Sequence, residues 1–265
     1  MLSNMKRYLI YIAGVILCTF GTLRAHATNF TDNPVAYTKA MADSAYAEAD
    51  YTTAIHIYEQ LIATHGESSV VYYNLGGAYY KMDDIARSIL NYERALLLDP
   101  SNESIKFNLE LARSKAVDKD ALVSELFYVR WYRSFSSIMS ADSWSKVAIL
   151  CFLIFISSLT LFIFSKKRKT KKNIFTFALL SLVCCVWSNV IAVSQTDKLK
   201  HRENAIVVEP SVTVRSTPSA NGTELFVLHE GKKVKIKDDS MKAWKEIEIE
   251  DGNIGWLPAE SIERI

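Results

Sequence analysis

The chain has 265 residues, and 31 Lys and Arg balance 29 Asp and Glu to a formal net charge of +2; so even a balance singles out no partner, and nucleic acid is not expected to be one. An export segment of 27 residues and a membrane hairpin of about 50 leave two small outer domains and no room for a large enzyme core. The four cysteines, Cys18, Cys151, Cys184 and Cys185, all fall in apolar segments, so the outer domains carry neither a disulfide framework nor a thiolate metal site.

Lys6 and Arg7 precede the apolar run Tyr8 to Phe20, and Ala25-His26-Ala27 follows it. A basic start, an apolar centre and a small-x-small end read as a secretory signal peptide over 1–27. Cys18 admits a lipoprotein reading, which the large Leu17 before it disfavours.

Residues 28–119 read as a helical repeat domain. Ala54-Ile55 and Tyr58-Glu59 return as Ser88-Ile89 and Tyr92-Glu93, and Tyr73-Asn74-Leu75 returns as Phe107-Asn108-Leu109, each 34 residues on. That is the period of tetratricopeptide repeats, and Tyr72, Leu75, Gly76, Tyr79, Ser88, Tyr92, Ala95 and Pro100 fall on the signature positions. Small Gly76 and Ser88 are expected where two helices cross, and Pro100 ends the second helix. A weaker repeat precedes this one and a single helix, Glu103 to Ala116, follows it. So short an array needs a further packing partner, and the expectation is that the aromatic segment 120–145, with Leu122, Leu126, Phe127, Trp131, Tyr132, Phe135, Ile138 and Met139, supplies it while lying on the outer leaflet of a membrane. First helices of such repeats line the concave face, which nominates Lys39, Tyr73, Asn74, Lys81, Phe107 and Asn108 as protein-binding residues, beside Asp43 and Gly77.

Two uncharged stretches, within 146–164 and 174–194, are each long enough to cross about 30 Å of hydrocarbon. The loop 165–173 between them holds six Lys and Arg, and short basic loops stay cytoplasmic. Both outer domains are then expected on the periplasmic side of the inner membrane.

Over 195–265 short alternating runs are separated by Pro210, Asn221-Gly222, Gly231 and Asp251-Gly252, the pattern of a small all-β domain. Val212 to Pro218, Gly231 to Val234, Trp244 to Ile247 and Gly255 to Pro258 resemble a bacterial SH3-like barrel. Trp244 and Trp256 read first as barrel core and second as ligand contacts, and Arg215 as a residue orienting the following turn.

No HExxH, GxSxG, Walker, CxxC or dinucleotide fingerprint occurs, and Asp83-Asp84 reads as a helix cap. No enzymatic activity, cofactor or metal is expected. The order of signal peptide, repeats, aromatic segment, two-helix hairpin and β domain resembles the BatE-type proteins of the Bacteroidetes aerotolerance operon, with Tyr72-Tyr73-Asn74-Leu75-Gly76, Tyr92-Glu93-Arg94-Ala95 and Asp99-Pro100 as the strongest local matches. The resemblance implies a non-enzymatic inner-membrane component working beside von Willebrand A-domain proteins and an associated ATPase. The fold class expected is a multidomain membrane protein with an all-α tetratricopeptide array, a transmembrane hairpin and an SH3-like barrel. It is read as a scaffold that contacts envelope proteins and membrane lipid; the alternative is a cell-wall sensor whose barrel recognises peptidoglycan or a peptide.

Overall fold

The computed structural model describes residues 37–119 and 126–265. The signal peptide, Cys18 and Leu122 lie outside the described residues. Counting from the first described helix, the array comprises α1 Lys39–Ala47, α2 Tyr51–His65, α3 Ser69–Lys81, α4 Ile85–Leu98 and α5 Glu103–Lys115.

Both helix pairs turn by the same device. Ala49 and Asp83, one period apart, take left-handed φ values of 63° and 61°, and the aspartate after each caps the next helix. Asp50 accepts from the Thr53 amide at 3.1 Å and Asp84 from the Arg87 amide at 3.0 Å, satisfying donors that a helix N-terminus leaves unpaired. Within the second repeat, α3 and α4 cross at Gly76 and Ser88. The buried Ser88 hydroxyl donates to the Gly76 carbonyl at 2.9 Å, and a Cβ on Gly76 would stand 2.9 Å from the Tyr92 ring.

Downstream come α6 Phe127–Ser136, α7 Ala141–Phe164 and α8 Arg168–Lys200. The last two are long and apolar enough to cross a membrane and pack side by side, with the Ser181 hydroxyl donating to the Cys151 carbonyl at 2.7 Å. The basic run expected to be a loop is mostly helix, because α8 begins at Arg168 and leaves only Ser165 to Lys167 between the two. Lys and Arg are good helix formers, and no proline or glycine interrupts the run.

The C-terminal region is a seven-stranded antiparallel sheet: β1 Asn204–Val207, β2 Ser211–Arg215, β3 Glu224–His229, β4 Lys233–Asp238, β5 Trp244–Glu248, β6 Ile254–Pro258 and β7 Ile262–Arg264, in the order β3-β2-β6-β5-β4-β1-β7. Alternation buries Ala205, Val207, Val212, Val214, Leu228, Val234, Ile236, Ile247 and Leu257 in one core. Trp244 and Trp256 are not in it. Both are half-buried, and Trp256 pairs with Arg215 and Glu246 on its two sides, so the reading of these rings as core is corrected. Short β7, which pairs with β1, was not legible behind Pro258.

The packing partner of the array is this sheet domain. Ile85, Ile89 and Leu90 of α4 and Leu109, Ala112 and Ala116 of α5 or just after it share one core with Ile206 of β1 and the terminal Ile265. Gly231, at φ +82°, comes so close that a Cβ there would lie 2.9 Å from the Ile89 side chain. Polar contacts ring this core. Buried Glu93 is held by Arg113 and, at 2.8 Å, by Lys233; Arg94 donates to the Arg264 carbonyl and, at 2.9 Å, to Glu263; Asp118 accepts from the His229 amide at 2.7 Å; and Arg202 pairs with Glu67. The expectation that the aromatic segment covers the array is corrected for its described residues: Tyr132, Phe135 and Met139 pack on Trp144, Ile191 and Ala192 of the apolar hairpin.

Candidate functional site: a tyrosine-lined groove

The first-helix side of the array encloses a groove of about 530 Å³ lined by Asp43, Tyr46, Tyr58, Tyr73, Asn74, Gly77, Tyr80, Lys81, Tyr92, Asn108 and Leu111. Its construction follows from the repeat. Asp43, Gly77 and Leu111 are equivalent positions of α1, α3 and α5, spaced by 34 residues, so the same helical face is presented three times. Gly77 keeps the middle open: a Cβ there meets the Tyr92 and Tyr46 hydroxyls at 3.5 and 3.6 Å, ordinary contact distances.

Asp43 is the polar hub at one end. It accepts from Lys39 at 2.5 Å, Tyr58 at 2.6 Å and Asn74 at 3.1 Å. Burial opposes its ionisation, but those hydrogen bonds outweigh it and hold the carboxyl below its ordinary value. At the other end Asn108 donates to the Tyr73 hydroxyl at 2.7 Å, Tyr73 lies against Tyr92, and Lys115 sits 4.3 Å from the centre of the Tyr80 ring. Burial, and for Tyr58 the neighbouring carboxylate, push the Tyr58 and Tyr92 phenols upward. They are neutral hydroxyls at physiological pH.

Of the residues nominated from sequence, Tyr73, Asn74, Lys81 and Asn108 line the groove, together with Asp43 and Gly77. Lys39 and Phe107 do not. Lys39 is spent on the Asp43 ion pair, and Phe107 points outward with 68% of its surface exposed. Sequence reasoning missed Tyr46, Tyr58, Tyr80 and Tyr92. The signal was present, since Tyr46 and Tyr80, like Tyr58 and Tyr92, are one period apart, but the repeat signature does not tell a lining tyrosine from a packing one.

Chemically the groove offers aromatic faces, neutral hydroxyls and two asparagine carbonyl oxygens, groups suited to an extended backbone and its apolar side chains. Among the described residues no group of three or more His, Cys, Asp or Glu is placed to hold a metal ion. Arg215 on the sheet domain donates to the Gly222 carbonyl at 2.8 Å and to Glu224 at 3.1 Å, which pins the Ser216-Thr217-Pro218 turn.

Residues 69–102, which form α3, α4 and the turn after them, match the family model of the tetratricopeptide repeat. No curated protein matches the chain.

Proposed function

We propose that this chain is a non-enzymatic, membrane-anchored scaffold that holds an extended segment of a partner protein in the tyrosine-lined groove. A tetratricopeptide repeat supports protein interaction in general; the observation that carries the finer reading is the groove itself, kept open at Gly77 and lined from three successive repeat positions. Lys39 offsets the charge of Asp43 and Lys81 adds a cation to the lining, so the groove favours a segment that combines apolar side chains with an acidic group over a basic one. The two apolar helices anchor the unit in the inner membrane, with the basic end in the cytoplasm and the array and sheet domain, read as SH3-like, in the periplasm. Envelope proteins of the von Willebrand A-domain class with an associated ATPase, in an aerotolerance or stress complex, are the partners that the BatE resemblance implies.

The test is a photo-crosslinking amino acid at exposed Leu111 in intact cells, with Arg87 on the opposite helix as control. A discrete adduct from position 111 that disappears with Gly77→Leu supports the reading, since that side chain fills the groove and should weaken binding at least tenfold. Equal crosslinking from both positions, or insensitivity to Gly77→Leu, sinks it. The wall-sensor alternative draws on the outward Trp256 beside Arg215; it predicts that the full chain in detergent sediments with peptidoglycan and that Trp256→Ala releases it.

A further inference from the structure

Helix α6 has an aromatic arc that the protein only half covers. At 100° per residue, Phe127, Tyr128, Trp131, Tyr132 and Phe135 fall within about 140° of its circumference, with Arg130 and Arg133 on the other side. One edge of the arc, Tyr132 and Phe135, packs on Trp144, Ile191 and Ala192 of the apolar helices. The other edge is bare: Phe127 is 83% and Trp131 60% exposed, and Tyr128, one turn before Tyr132, is exposed as well.

The hairpin gives this helix a depth. Gln195 donates to the Ser136 and Met139 carbonyls at 2.5 and 3.1 Å, and the Trp144 indole donates to the Ser136 carbonyl at 3.0 Å, which pins the C-terminal end of α6 to α7 and α8. Along α8, Lys172 and Gln195 are 23 residues apart, about 35 Å at 1.5 Å per residue, slightly more than a hydrocarbon core of about 30 Å. With the basic run in one headgroup layer, Gln195 and α6 reach the other. The bare aromatic edge is thus continuous with the apolar surface of α7 and α8 at the level where Trp and Tyr concentrate in membrane proteins.

We propose that α6 is an interfacial helix whose Phe127, Tyr128 and Trp131 side chains sit in the lipid headgroup and carbonyl layer on the array side of the bilayer, with Arg130 beside the phosphates. This rests on the reading of α7 and α8 as membrane spans. Its consequence is mechanical. The array is tied to the bilayer at two points: through α6, which is separated from residue 119 by seven residues, and through α8, whose continuation Arg202 bonds Glu67 in the turn between α2 and α3.

The test uses the full chain with its native cysteines replaced, reconstituted in phosphatidylcholine and phosphatidylglycerol vesicles. An environment-sensitive fluorophore is placed singly at Phe127→Cys, Trp131→Cys, Val183→Cys in the middle of α8, and Met241→Cys on the sheet domain. Lipids spin-labelled near the headgroup should quench positions 127 and 131 at least threefold more than position 241, while position 183 responds most to labels deep in the acyl chain. If 183 is quenched by lipid but 127 and 131 behave like 241 towards aqueous iodide, the spans stand and the interfacial helix is wrong. Shielding of 127 and 131 from both quenchers means that protein covers the arc, which also overturns the inference. If 183 shows no lipid quenching, the membrane reading fails and the inference falls with it. Two fluorophore positions on α6 guard against one substitution perturbing the Trp131–Phe135 stack.

Discussion

Gly76 and Gly77 are neighbours in one helix, yet their substitution by alanine should have opposite signs. At Gly76 the new methyl meets the Tyr92 ring at 2.9 Å and the Ser88 carbonyl at 3.2 Å; overpacking of that kind costs on the order of 1 to 3 kcal/mol. At Gly77 the methyl finds room, and replacing glycine in a helix interior gains roughly 0.5 to 1 kcal/mol. Denaturant unfolding of the two variants checks this, and equal shifts would mean that the helix crossing is misplaced. Glu93 carries a pH dependence. Burial opposes its charge, but Lys233 and Arg113 hold the carboxyl below its usual range. A carboxyl lowered on folding contributes stability in full above its unfolded value, about 4.3, and loses it as pH falls through the folded value. Contact between array and sheet domain should accordingly be constant through neutrality and loosen below about pH 4. Glu93→Gln should cost on the order of 1 to 3 kcal/mol at pH 7, because both cations are about one-third exposed and keep some water. It should also flatten the acid transition followed by hydrogen exchange; an unchanged profile would contradict the assignment. The Gly76 crossing was legible from the repeat signature, whereas Glu93 was not, because its partner Lys233 lies 140 residues away.

At the scale of elements, the sheet domain does for the array what a terminal capping helix does in longer arrays. It covers Ile85, Ile89, Leu109 and Ala112, a face that would otherwise be apolar and wet. Exposing even three of these aliphatic side chains costs roughly 1.5 kcal/mol or more each, a large part of the stability of a domain of this size. A chain ending at Lys119 should therefore melt many degrees lower than the array within the full chain, and adding the sheet domain in trans should recover part of the loss. If the truncated array unfolds at the same temperature, the shared core contributes nothing. The need for such a partner was legible in the shortness of the array, but its identity was not. Periodicity reports which face of a helix is apolar and is silent on what covers it, so the nearest aromatic segment drew an assignment that belongs to Ile206 and Ile265. The same limit hid β7, three residues whose strand character comes only from pairing with β1.

For the whole molecule, the contact between array and sheet domain bears on topology. The chain leaves the array, runs through α7 and α8, and returns to the array through Arg202, Ile206, Lys233 and Ile265. On the proposed reading of α7 and α8 as membrane spans, two crossings return the chain to the side it left, as this packing requires, and the basic run at the turn is what assigns that side to the periplasm. The most direct measurement is thiol labelling of the full chain in intact cells, with native cysteines replaced and single cysteines at Leu111 in the groove, Met241 on the sheet domain and Thr170 at the basic turn. All three positions are exposed. A membrane-impermeant maleimide should modify 111 and 241 from outside and reach 170 only after the inner membrane is permeabilised. Labelling of 111 and 241 from opposite sides, or of 170 from outside, would contradict the account of one extramembrane unit held by a membrane hairpin.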